Sequence, residues 1–237
     1  MPTPGAGAPA VAVFDVNERL SDLSGLGTRL EALGAGTDIL PRWFAATLRD
    51  GFALTAAGAH ANFAAIGIAN LASLLEPIAA LATTPRQAAE RVIGAMGELD
   101  LHPDVAPGLQ ELREAGVRIV TLSNGDARVA ESLLKRAGLR DLVEQCLAAD
   151  DAGRWKPAGE AYVHAARQCG VEPGELALIA VHPWDIDGAA RAGLRTGWLS
   201  RDGAPYPPFF LAPQASASDL AALARVLVRG PSAKSRS

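Results

Sequence analysis

The chain has 237 residues, 49% hydrophobic and 20% charged, a balance that suits one α/β core with an inserted subdomain. A net charge of −4 with scattered basic residues excludes a nucleic acid or an anionic membrane surface as partner. The opening MPTPGAGAPA has neither region of a secretory signal, and the apolar stretches are broken by Asn62, Asn70, Glu76 and Pro77 before they can span a bilayer; a soluble, cytoplasmic protein is expected.

The first element is residues 10–15, AVAVFD, an apolar run ending on its one acid, which predicts a buried parallel strand. Residues 20–96 follow, rich in Ala and Leu and without strand signals, with helical spacing over 41–57 and 61–81. Residues 107–116 start on Pro and end on Gly, a helix signature. A second strand is predicted at 117–122, then the turn Ser123-Asn124-Gly125-Asp126 and a helix over 127–137 stopped by Gly138. A third strand at 142–149 precedes a helix running from Pro157 to Gln168. A fourth strand at 176–181, a helix at 185–192, a fifth strand at 196–199 and a last helix at 218–228 complete the order.

Strands alternating with helices predict an α/β, doubly wound parallel sheet. The expected organisation is a core of residues 10–19 and 97–229, an inserted all-helical cap at 20–96, and flexible termini at 1–9 and 230–237. Cys146 and Cys169 have no motif around them and are expected to be buried, reduced thiols.

Four polar clusters fall at or just after the predicted strands: Asp15 with Asn17, Ser123 with Asn124, Lys156, and His182 with Asp185. Carboxyl ends of parallel strands open onto one crevice, so clusters distant in sequence converge there. Each has a plainer reading: Asp15 and the Ser-Asn-Gly-Asp stretch as turn formers, Lys156 as a surface charge, Asp185 as a helix N-cap, His182 as a structural histidine. Together they make chemical sense. A carboxylate nucleophile in a half-closed site stays ionised if an ammonium lies beside it, which Lys156 can supply to Asp15. Ser123 and Asn124 offer donors to an anionic substrate or a developing charge.

Phe14-Asp-Val-Asn-Glu18, Leu122-Ser-Asn-Gly125, Trp155-Lys-Pro157 and Pro183-Trp-Asp-Ile-Asp-Gly-Ala189 occur in the order of the four motifs of the haloacid dehalogenase superfamily. The chain resembles its type II (S)-2-haloacid dehalogenases over residues 11–201, cap included. The resemblance implies a Rossmann-like core and a reaction in which Asp15 displaces halide from C2 of a short (S)-2-haloalkanoic acid. Water then hydrolyses the aspartyl ester to release the (R)-2-hydroxy acid. It implies Lys156 as the group holding Asp15 ionised, Ser123 as orienting the substrate carboxylate or Asp15, and Asp185 as orienting Lys156 or the hydrolytic water. Arg42 and Asn124 match the halide-binding pair, Phe63 and Trp184 the pocket walls, and Tyr162 a site tyrosine. No cofactor or metal is implied; the partners are a small halogenated acid, water and a second copy in a homodimer.

Three positions depart from the family pattern. Arg19 stands where threonine is usual, and its guanidinium could bind the substrate carboxylate, pair with Glu18 or narrow the pocket. Ala180 replaces a serine, and His182 stands where an asparagine orients water. The alternatives are a magnesium-dependent phosphatase of the same superfamily and a paralogue that binds a small acid without turning it over. Against the phosphatase stands Asn17, two residues after the nucleophile, because an amide cannot protonate a leaving alkoxide as a carboxylic acid does.

Overall fold

The computed structural model describes residues 7–16 and 20–229. Asn17, Glu18 and Arg19, with the readings attached to them, lie outside the described residues, as do most residues of the two expected flexible termini.

Six parallel strands form one sheet in the order β3-β2-β1-β4-β5-β6. They are β1 (Val11–Phe14), β2 (Arg118–Ser123), β3 (Gln145–Ala148), β4 (Leu176–Ala180), β5 (Arg195–Leu199) and β6 (Ala215–Ala217). β1 is central and wholly buried, which is why it is a continuous apolar run. Its alternating side chains enter different cores: Ala12 and Phe14 on one face of the sheet, Val11 and Val13 on the other. The order of winding reverses between β1 and β4, so the crevice of a doubly wound sheet opens beyond their carboxyl ends. The α/β class is as expected.

Between β1 and β2 lie α1 (Ser24–Ala32), α2 (Ile39–Ala56), α3 (Phe63–Leu75), α4 (Pro85–Gly94) and α5 (Val105–Glu114), the last packed against the C-terminal helix Leu220–Arg229. The excursion is closed at its base by backbone pairing: His102 N donates to Leu20 O at 2.9 Å and Asp22 N to Asp100 O at 2.9 Å. The apolar core on the Phe14 face continues without a break into α1–α4 through Leu26, Trp43, Phe63 and Leu71. The remaining helices are α6 (Ala127–Arg136), α7 (Gly159–Cys169), α8 (Pro183–Arg191) and α9 (Leu220–Arg229). No helix among the described residues is long and apolar enough to cross a membrane.

Several boundaries differ from the sequence expectation for local reasons. The helix expected over 61–81 stops at Leu75 with Glu76 as its cap, because Pro77 has no N–H with which to continue the ladder. The helix placed from Pro107 begins at Val105, with Pro107 inside its first turn, where its missing N–H costs nothing. Asp104, just before it, spends its Oδ2 on the backbone of Leu220 at 2.8 Å and so ties α5 to α9. Cys169 is buried as expected, whereas Cys146 is half-buried on an edge-side strand.

Candidate active site

Asp15 is the first residue past β1, anchored by its backbone N–H to Ile179 O of β4 at 3.3 Å. Asp15 is 4% exposed, and its carboxylate has two partners among the described residues. Oδ1 accepts from Lys156 Nζ at 2.9 Å, and Oδ2 faces His182 Nδ1 at 3.3 Å. Burial alone would raise this carboxyl's pKa, but the Lys156 charge and the His182 contact outweigh it and hold the group well below the usual carboxylate range.

Lys156 is fully buried and donates to Asp185 Oδ2 at 2.7 Å as well. Its desolvation is overcome by the two carboxylates, so its ammonium is held above the ordinary lysine value. Asp185 is pushed up by burial and by the Asp15 charge, against the opposing pull of Lys156. Its other oxygen accepts from the Tyr162 hydroxyl at 2.5 Å. These two donors, one on each oxygen, favour the carboxylate form at neutral pH.

Two sequence readings change here. Asp185 is not the N-cap of α8; His182 occupies that position, Pro183 is the first helical residue, and Asp185 points inward onto Lys156. Tyr162, on α7, has no exposed surface and touches Asp185 rather than an open pocket. Asp185 thus touches Lys156 directly, and Tyr162 touches it only through Asp185.

Asn124 follows β2 and spends its side chain on the backbone of Lys156. Its Oδ1 accepts from Lys156 N at 2.8 Å and its Nδ2 donates to Lys156 O at 3.0 Å. An amide engaged in this way positions the lysine and is a poor candidate for the halide group. Ser123, the last residue of β2, accepts the Gly125 N–H on Oγ at 2.9 Å, which tightens the turn carrying Asn124.

The loop bearing Lys156 is fastened to the helical insertion. Arg154 Nη1 donates to Thr55 O at 2.8 Å, and the Trp155 indole N–H to Ala61 O at 3.2 Å. Phe63 stacks on Trp155 and meets Trp43 edge-on. Phe63 also lines, with Ile93, Met96, Ser123 and Asp126, a cavity of about 750 Å³ between α3, α4 and the start of α6. His182 borders a second cavity of about 430 Å³ near β5. The His182 ring stacks on Phe44 and on Trp184, at centroid distances of 5.8 and 5.0 Å. Arg42 is exposed on α2 and makes no ion pair with another described residue.

The sequence reading did not single out Phe44, Gly51 or the packing role of Trp155. Gly51 sits inside α2 because a Cβ there would fall 2.1 Å from the Trp155 ring. A glycine in a helix interior is the one signal that could have pointed to this contact.

The family description haloacid dehalogenase-like hydrolase matches residues 39–193. The chain is 35% identical to (S)-2-haloacid dehalogenase 4A of Burkholderia cepacia over 124 residues, 52% of this chain and 53% of that protein, so it spans about half the length of that relative. It is 27% identical to (S)-2-haloacid dehalogenase 1 of Pseudomonas sp. (strain CBS-3) over 196 residues, 83% of this chain and 86% of that one. Among solved structures, the L-2-haloacid dehalogenase RSc1362 superposes with a TM-score of 0.85 at 26% identity, covering 94% of this chain and 100% of the other. A dehalogenase with an intermediate complex superposes at 0.82, with 27% identity and 91% and 96% coverage.

Proposed function

The chain belongs to the haloacid dehalogenase-like hydrolase family, and from that premise we propose that it hydrolyses short (S)-2-haloalkanoic acids to (R)-2-hydroxy acids through a covalent ester on Asp15. The single observation that carries the reading is the Asp15–Lys156 pair: a buried carboxylate kept ionised at the end of the central strand. The names of the relatives, (S)-2-haloacid dehalogenases from two bacteria, support the substrate class.

Oδ2, with the longer contact, attacks C2 of the acid from the side opposite the halogen. The C–O bond forms as the C–halogen bond breaks, and the halide leaves with the bonding pair, so C2 inverts. Splitting hydrolysis into alkylation and ester cleavage replaces one hard displacement with two easier steps. Lys156 keeps its bond to Oδ1, which becomes the ester carbonyl, and stabilises the negative charge on that atom when water adds to Cγ. Arg42 receives the halide, Phe63 and Trp184 wall the acid, and Ser123 with the Gly125 turn faces its carboxylate. Asn17 and Arg19 belong to the same binding set on the resemblance alone.

A halide leaving group needs neither a general acid nor a metal. A magnesium-dependent phosphatase would need free carboxylate oxygens, and both oxygens of Asp185 are committed, one to Lys156 and one to Tyr162. That donor set does not fit the metal.

The test is halide release from (S)-2-chloropropionate. Wild type should release chloride with (R)-lactate as product, and Asp15→Asn should release none. A single turnover in ¹⁸O-water should label the Asp15 carboxylate rather than the product. Phosphate release from p-nitrophenyl phosphate with magnesium, without chloride release from the haloacid, would overturn the reading.

A further inference from the structure

Resting on the dehalogenase reading, we infer that the cavity of about 750 Å³ between the helical insertion and the core receives the chain of the acid beyond C3, so that (S)-2-haloalkanoic acids with an extended, uncharged alkyl chain are substrates of this site.

The cavity begins one strand away from the nucleophile. Pairing of Phe14 with Thr121 sets Asp15 level with Leu122, and Ser123 is the next residue of β2. Neighbouring strands lie about 4.8 Å apart. Ser123 and its partner on β3, Ala148, both border the cavity, which therefore rests on the carboxyl ends of these two strands. Phe63 joins the two spaces: it lines the cavity, and it stacks on Trp155, the residue before the lysine that holds Asp15. An acid with C2 at Asp15 Oδ2 has its substituent a few methylenes from this floor.

The void is not a general looseness between insertion and core. On the Trp155 side the two are in tight contact, where a Cβ added to Gly51 would fall 2.1 Å from the indole. On the cavity side a Cβ added to Gly94, at the end of α4, would meet nothing within 4 Å. Protein interiors are close-packed, and a cavity of this size is in the range that holds a small organic ligand. It is far larger than the methyl group of a three-carbon acid requires.

Its lining selects the occupant. Ile68, Ile93 and Met96 give the insertion side an apolar wall. The acids at its edge are Glu90, Asp126, Asp150 and Asp151, and Arg128 is the one Lys or Arg among the described lining residues. Arg128 is spent on Asp126 at 2.5 Å, and Asp150 faces His60 at 3.3 Å. The surplus charge is negative, so a chain ending in a second carboxylate is repelled, whereas methylenes lose their water against the apolar wall. Each methylene buried in this way raises affinity about threefold to fourfold.

The test compares (S)-2-chloropropionate, (S)-2-chlorohexanoate and (S)-2-chloroadipate, the last with the same chain length as the hexanoate and a terminal carboxylate. Wild type should show a kcat/KM for the hexanoate at least about tenfold above the propionate, and the adipate should lose that gain. Gly94→Leu, which enters open space, and Ile68→Trp fill the cavity away from Asp15 and Lys156. Each should bring the hexanoate down toward the propionate, with the propionate itself within about twofold of wild type. A hexanoate no better than the propionate, an adipate as good as the hexanoate, or a gain that survives both filled variants overturns the inference. Calorimetry with the unhalogenated acids separates the pocket from the reaction: hexanoate should bind wild type at least about tenfold more tightly than propionate, and Gly94→Leu should erase the difference. That binding pattern without halide release sinks the dehalogenase reading and supports the chain pocket. Equal affinities overturn the pocket even in an active enzyme.

Discussion

Asn124 grips Lys156 by the backbone, accepting from its N–H at 2.8 Å and donating to its carbonyl at 3.0 Å, so the turn after β2 fixes the lysine delivered by the loop after β3. Asn124→Ala leaves both backbone groups buried without partners and should destabilise the fold by about 2–4 kcal/mol. Turnover should fall as Lys156 drifts from Asp15, while inhibition by added chloride stays unchanged. Urea titration and chloride inhibition read the two effects. A variant of normal stability that binds chloride weakly would return Asn124 to the halide site.

Tyr162→Phe removes the hydroxyl that donates to Asp185 at 2.5 Å and leaves everything the substrate could touch in place. A hydrogen bond to a charged group contributes about 1.5–3 kcal/mol, and the loss should appear as reduced stability and a lower kcat. KM should not change. A raised KM at constant kcat would mean that the tyrosine meets the substrate.

Gly51 lets the insertion approach the Lys156 loop, for its missing Cβ leaves room for the Trp155 ring. Gly51→Ala gains helix propensity, worth up to about 1 kcal/mol, but must displace an indole that is 2% exposed. Overpacking costs typically about 1–3 kcal/mol, so the clash should win. Expected results are a lower urea midpoint, shifted Trp fluorescence and slower turnover. A midpoint above wild type would show that the ring moves freely.

The strands and the convergence of Asp15, Lys156 and His182 were legible because buried parallel strands are apolar runs and their chemistry sits at their ends. The run of helices between β1 and β2 was legible as a region without strand signals. β6, three residues of small side chains, carries no such signal and was missed. Asp185, Tyr162 and Asn124 stand out in the sequence, yet their directions do not, because an N-cap aspartate and an inward aspartate look alike there. What separates them is a partner dozens of residues away: Lys156 for Asp185 and Asn124, Asp185 for Tyr162. Gly51 and Trp155 show the same limit, since close approach is a property of the folded pair.

The pH dependence of stability should carry the signature of one lysine between two carboxylates. Asp15 has a folded pKa below its unfolded value near 4, so its contribution is present above that pH and is lost as pH falls toward the folded pKa. Lys156 is raised, so its contribution is present below its unfolded value near 10.4 and is lost as pH climbs through the folded one. Tyr162, raised well above 10, adds to the same alkaline loss. Asp185 is raised too and works against Asp15, since its ionisation costs stability as pH rises. Lys156→Met removes the positive charge and leaves two buried carboxylates facing each other, which should cost about 3–5 kcal/mol at pH 7. Because protonating either carboxylate relieves that repulsion, the variant should grow more stable from pH 7 to pH 5, while wild type should not. Urea midpoints measured across that range decide it; parallel curves for the two proteins would mean that Lys156 does not set the charge state of the site.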